Sequence, residues 1–288
     1  MSKEMETQQK KILVVLAHPD DESFGMGGTL ALYVRQGGDV RLVCATRGEV
    51  GEVDPEFKET IKSAACLRTQ ELRCAVETLG LSELYFLNYR DSGMPGSEDN
   101  HHPKALAAQP VEQVAAEVAH LIREVQPQVV LTFDPIGGYR HPDHIAIQQA
   151  TVQAFTLAAS PDFTDPEGLP PFQADRLYFH TTNKTYLKVA VAVLRLVGKD
   201  PRKFGRNNDI DLVSLTEVEF PIHVRVNYRP VKAIQKAAAA CHASQGGAQM
   251  NKGLQGLVNR LFGGHTDTFM QAYPAPADGQ KVKRDLFA

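Results

Sequence analysis

The sequence predicts an α/β fold: a Rossmann-like, doubly wound, mostly parallel sheet with a smaller C-terminal lobe. Three observations carry that prediction. The first apolar run, ILVVLA at 12–17, is short, rich in β-branched residues and followed at once by polar ones, the pattern of a strand buried on both faces. Strand-like and helix-like patterns then alternate as far as residue 133. The first and fourth strands of that series both end in loops dense in histidine and aspartate, and in open parallel sheets ligands bind at the carboxyl ends of strands.

Taken in order, the strand at 12–17 ends in HPDDE, and Gly25, Gly27 and Gly28 lead into a helix, TLALYVRQGG, stopped by the Gly37-Gly38 pair. VRLVCAT at 40–46 completes a β-α-β unit. After the polar loop RGEVGEVDPE, a helical pattern runs from about Phe57 to Leu79 and is closed by Gly80; ELYFLNY at 83–89 is the third strand. A helix over Val111 to Val125 and the strand VVLTF at 129–133 follow, then a helix from Pro142 to Ala158 and a strand, DRLYFHT, at 175–181. Beyond it the rhythm weakens: a charged loop at 198–211, a strand at 219–226 and a helix from Val231 to His242. The division expected is a catalytic α/β domain over 10–183 and a smaller α+β lobe over 184–288 that completes the pocket, with a mobile tail at 275–288.

At 288 residues and 43% hydrophobic, the chain is able to bury a substantial core. Its 31 Lys+Arg against 34 Asp+Glu include no dense basic block, which argues against nucleic acid as a partner. Cys44, Cys66, Cys74 and Cys241 lack CxxC spacing and read as reduced thiols of a cytoplasmic protein. The start, MSKEMETQQKK, lacks the apolar centre of a signal peptide, and no membrane anchor is expected. A homo-oligomer is compatible with the sequence.

The chemistry concentrates in two motifs. His18-Pro19-Asp20-Asp21-Glu22 places an imidazole and three carboxylates just past a buried strand, a cluster that repels itself unless a cation sits in it. In Tyr139-Arg140-His141-Pro142-Asp143-His144, Pro142 suits a first helical turn, from which His141 and His144 are able to face one way. Alone, HPDDE also suits a solvated helix start. Together, the loops offer two imidazoles and a carboxylate, the ligand type of a catalytic zinc that keeps a position for water. Iron(II) accepts the same set. Another carboxylate beside such a water acts as general base, and the residues themselves do not decide between Asp20 and Asp21.

AHPDDE at 17–22 and HPDH at 141–144, each after a hydrophobic strand, resemble the two signatures of the PIG-L/LmbE-like deacetylases, and the likeness covers roughly residues 10–180. TRGEVGE at 46–52, LRTQEL at 67–72 and YRDSGM at 89–94 are similar to further segments of that family. The resemblance implies His18, Asp21 and His144 as zinc ligands and Asp20 as general base. It also implies that His141 protonates the leaving amine or steadies the oxyanion, that Asp143 orients an imidazole and that Tyr139 polarises the acetyl carbonyl. Glu49, Arg68 and Asp91 would contact sugar or cyclitol hydroxyls, although Arg68 also suits a helical pairing with Glu71. His242, in CHASQ, resembles a C-terminal H-x-S-Q segment of the family, yet a helix-terminal histidine commonly caps or faces solvent.

The activity so implied is removal of an N-acetyl group from an N-acetylglucosamine conjugate linked to malate, inositol or a related aglycone. An amidase cleaving thiol S-conjugates is the alternative within the same chemistry, and a non-catalytic sugar-binding protein is the alternative outside it. A nucleotide-binding reading fails because Gly25-Met26-Gly27-Gly28 lacks GxGxxG spacing and follows acidic residues that repel a pyrophosphate.

Overall fold

The computed structural model describes residues 9–51, 63–182, 184–204, 210–247 and 265–288. Five adjacent parallel strands, with β3 at the edge, form the larger part of one seven-stranded sheet: β1 (Lys11–Leu16), β2 (Asp39–Thr46), β3 (Glu83–Tyr89), β4 (Val129–Phe133) and β5 (Arg176–Thr181). Two antiparallel strands, β6 (Val224–Asn227) and β7 (Thr266–Tyr273), extend it, giving the order β3-β2-β1-β4-β5-β7-β6. β1 and β4 sit in the middle and their apolar residues are fully buried, as their continuous hydrophobic runs require. Truncating Leu13 to Ala there costs about 2–5 kcal/mol.

Helices cover both faces. On one lie α1 (Gly27–Arg35), α2 (Ala64–Leu79) and α6 (Lys232–Cys241); on the other lie α3 (Val111–Val125) and α4 (Pro142–Ala159). The ends follow local chemistry: Ser63 Oγ accepts the Cys66 N–H at the start of α2, and Gly80 closes it at φ +76°. α5 (Lys184–Leu196) packs Leu187 and Val191 against Leu212 and Leu215, a satellite cluster touching Ile136 and Tyr139.

Several expectations are corrected. The strand expected from 219 begins only at Val224, because Pro221 has no N–H to give a ladder. The helix expected from Phe57 is α2, beginning at Ala64; positions 57–62 lie outside the described residues. The tail is pinned rather than mobile: Leu286 is fully buried, its N–H donates to Tyr33 Oη at 2.7 Å and its carbonyl accepts from Tyr178 Oη at 3.1 Å. Finally, Cys74 and Cys241 form a disulfide joining α2 to α6, with Cα atoms 5.8 Å apart, while Cys44 and Cys66 are free. The cysteines therefore lend no support to a reducing compartment. Among the described residues no helix is long and apolar enough to cross a membrane.

Candidate active site

The chain leaves β1 toward β2 on one side and leaves β4 toward β5 on the other, so a crevice opens between their carboxyl ends. Both histidine motifs end there. His18 is buried and bonds at both ring nitrogens. Nε2 faces Asp143 Oδ2 at 3.0 Å, and since a carboxylate only accepts, Nε2 carries the proton and Nδ1 presents a lone pair. His144 Nδ1 lies 3.2 Å from the Gly137 carbonyl, which by the same logic leaves a lone pair on Nε2. Those two lone pairs are 3.1 Å apart, and Asp21 closes the triangle, 3.2 Å from His144 Nε2 and 3.6 Å from His18 Nδ1.

His18 Nδ1, His144 Nε2 and the Asp21 carboxylate, whose Oδ1 makes the 3.2 Å approach and Oδ2 the 3.6 Å one, repel at such separations unless a cation lies among them. Neighbouring ligands of a tetrahedral ion bonded at about 2.0–2.1 Å sit about 3.4 Å apart, so the donor set fits one. Ligand atoms of His18, His141 and His144 also lie within 4.8 Å of one another, as do those of His18, Asp91, His141 and Asp143, and the cluster as a whole fits a divalent metal. Asp143 is already engaged, however: Ser92 Oγ donates to its Oδ1, and Ser92 N–H to its Oδ2 at 2.9 Å. Asp91 Oδ1 likewise takes the Gly93 N–H at 2.8 Å.

The titrating groups reflect this charge. Burial lowers the His18 pKa, but Asp91, Asp143 and Asp21 outweigh it and raise it well above the usual value, so a cation at Nδ1 would stand where the surrounding carboxylates otherwise favour a second proton. Burial raises Asp21, yet His144 and His18 carry it well below the usual carboxylate range. Asp20 is pushed up to about 6, by burial first, with the Arg68 guanidinium opposing. His141 is pushed down to about 2, by burial and then by His18 and His144. Its Nδ1 accepts the Asp143 N–H at 3.2 Å as the cap of α4, so the neutral ring carries its proton on Nε2. Burial and Asp21 raise the Tyr139 phenol, which stays protonated; its ring centre is 5.0 Å from that of His144.

All the residues singled out by sequence meet here. Glu49 Oε2 accepts the Asp91 N–H at 3.0 Å. Arg68 does not pair with Glu71; its Nη2 donates to Asp20 Oδ2 at 3.1 Å and to the Pro19 carbonyl at 2.8 Å, and Glu71 instead accepts from the Ser244 N–H and Oγ. A side chain at Gly48, where φ is +66°, would put its Cβ 2.1 Å from Arg68 Nη1, so glycine is required for the guanidinium to pass. Gly137 is required similarly, since a Cβ there would lie 2.8 Å from His144 Cβ.

Sequence reasoning gave Glu22 and Ser92 no role of their own and left His242 open between a family-like pocket residue and a helix cap. Glu22 and His242 are fully buried and meet at 2.7 Å, so His242, which does sit at the C-cap position of α6, turns its ring into the interior rather than to solvent. Its CHASQ context was the available signal; nothing in the spacing pointed to Glu22.

A doubly wound α/β sheet with a cation-ready His/Asp cluster at its switch point defines the class. Residues 13–155 match the family model PIG-L, described as GlcNAc-PI de-N-acetylase. A Kineococcus radiotolerans protein named 1D-myo-inositol 2-acetamido-2-deoxy-alpha-D-glucopyranoside deacetylase is 46% identical over 186 residues, 59% of this chain and 52% of that protein. A Thermomonospora curvata protein of the same name is 35% identical over 293 residues, 96% of each. The chain belongs to the PIG-L family. N,N'-diacetylchitobiose deacetylase from Pyrococcus horikoshii shares the fold, with a TM-score of 0.63 and 22% identity over 92% of this chain and 84% of that one.

Proposed function

We propose that this protein is a zinc-dependent N-deacetylase acting on an N-acetylglucosaminyl conjugate, with an inositol aglycone favoured by the names of its relatives. The observation that carries the reading is the set of lone pairs on His18 Nδ1, Asp21 and His144 Nε2 facing one point beside Asp20 and His141. These three would hold the metal: Asp21 takes the His18 N–H on Oδ2 at 2.7 Å and turns Oδ1 to His144 Nε2, whereas both oxygens of Asp143 are engaged. Asp143 acts by holding the His18 ring, as carboxylates behind metal-bound imidazoles do. Zinc in that place supplies an acidified water and polarises the acetyl carbonyl.

The protein's own groups do the rest. Asp20 takes a proton from the attacking water and, with a pKa near 6, is able to return it to the departing amine. His141, neutral with Nε2–H, donates a hydrogen bond to the oxyanion of the tetrahedral intermediate. The Tyr139 hydroxyl serves as a further donor. Asp91 and Glu49 lie beside the cluster as acceptors for sugar or cyclitol hydroxyls, and residues 184–288 complete the pocket around the chemistry of 10–183. Arg68 supports Asp20 rather than reaching the sugar.

Incubating the protein with N-acetylglucosaminyl inositol, N-acetylglucosaminyl malate and a thiol S-conjugate, and measuring acetate, free amine and released mercapturate, tests the reading. Equimolar acetate and amine from a glucosaminyl substrate are expected. Mercapturate release alone makes the protein an amidase, and no product from any of the three contradicts catalysis.

A further inference from the structure

Asp20 holds a backbone conformation that an aspartate rarely adopts, φ +122°. Such a residue persists only where its surroundings over-determine it. Its side chain is held by Arg68 from α2. Its N–H donates to Glu22 Oε2 at 3.1 Å. Glu22 is fully buried, and its other oxygen, Oε1, lies 2.7 Å from His242 Nε2, 220 residues away and just past the end of α6.

His242 is also fully buried, and its Nδ1 has no hydrogen-bond partner among the described residues. A buried ring that leaves one nitrogen unsatisfied is destabilising unless its other nitrogen does something that compensates. The atom that Nε2 meets is the carboxylate that fixes Asp20. We propose that His242 is a positioning residue for the deacetylation reaction: through Glu22 it holds the strained Asp20 backbone in the geometry for proton transfer. The Cys74–Cys241 disulfide serves the same end, since it fastens the end of α6 to the helix that carries Arg68. Both supports of Asp20 thus come from one covalently joined pair of helices.

The inference rests on Asp20 as the base of the proposed reaction, so its test needs a readout of Asp20 besides turnover. His242→Gln keeps an N–H donor near the Nε2 position, whereas His242→Leu removes it; His242→Asn, whose amide stops at the level of Nδ1, replaces the leucine variant if that does not fold. Kinetics, metal content and crystal structures of the holoenzymes are compared. The expected result is kcat lowered about 10- to 100-fold in the Leu or Asn variant, the scale of an ångström-size misplacement. KM and bound metal stay unchanged, Asp20 leaves its positive φ, and the Gln variant recovers both rate and conformation. Equal kcat in all folded variants, or Asp20 unmoved without His242, overturns the inference. An inactive wild type overturns the deacetylase reading instead, and the Asp20 backbone in the variant structures still decides the positioning role.

Discussion

Arg68 and Asp20, 48 residues apart in the chain, meet at 3.1 Å between Nη2 and Oδ2, and the same Nη2 donates to the Pro19 carbonyl at 2.8 Å. One guanidinium therefore grips both the side chain of Asp20 and the backbone just before it. A lysine carries the charge on a single nitrogen and lacks the second arm of the fork, Nη1, which donates to the Gly48 carbonyl at 3.2 Å and holds the guanidinium in place. Arg68→Lys is expected to lower kcat about tenfold or more while leaving metal content unchanged, as steady-state kinetics and elemental analysis would show. Unchanged kcat would mean that the pair does not position Asp20.

Asp20 and His144 separate proton transfer from metal binding. Asp20→Asn preserves shape and removes the base, so turnover should fall by about 10²–10⁴ with metal retained. His144→Ala removes one of the lone pairs facing the metal point and should lose metal. The opposite pattern would exchange their roles.

Asp267 gives a stability signature independent of catalysis. Burial pushes its carboxyl up to about 7, against which the Thr29 N–H and hydroxyl both donate to Oδ2. The native state thus holds a proton that the unfolded chain releases near pH 4. Stability should be constant below about pH 4, fall as pH rises toward 7, and level off above it, a change of up to about 4 kcal/mol from this group. In Asp267→Asn that share of the slope disappears, because an amide accepts from Thr29 without titrating. Thermal unfolding midpoints between pH 4.5 and 7.5 check this, and identical slopes in both proteins would contradict it.

The Cys74–Cys241 disulfide closes a loop with a sequence separation of 167. A cross-link of that span restricts the unfolded chain strongly, so removing it by a double Ser substitution should cost about 2–5 kcal/mol. Denaturant unfolding of the variant beside the wild type, the latter with and without a reductant, measures the loss. Equal midpoints in all three samples would show that the two helices are held by packing alone.

Much of the fold was legible because the parallel strands are buried on both faces and read as continuous apolar runs, as ILVVL and VVLTF show. The candidate His/Asp cluster was legible where its residues lie within two short motifs, His18 to Asp21 and His141 to His144, with Asp91 joining it from a third segment. Legibility failed where partners are distant in sequence. Glu22 meets His242 across 220 residues, and Leu286 packs beneath Tyr33 across 253. A polar terminal stretch reads as mobile, and tertiary contacts such as those of Leu286 and Asp285 pin it. Arg68 was singled out for the sugar, and its bond to Asp20 is one that no helix periodicity encodes.

The central claim is that His18, Asp21 and His144 gather one catalytic metal. Metal content of the wild type beside a His18→Ala/His144→Ala double variant, with acetate release measured before and after chelation, tests it most directly. The account predicts near one zinc or iron per chain, lost in the variant, and acetate release abolished by the chelator and restored by added zinc. A wild type that binds no metal, or that releases acetate equally well after complete chelation, would contradict it.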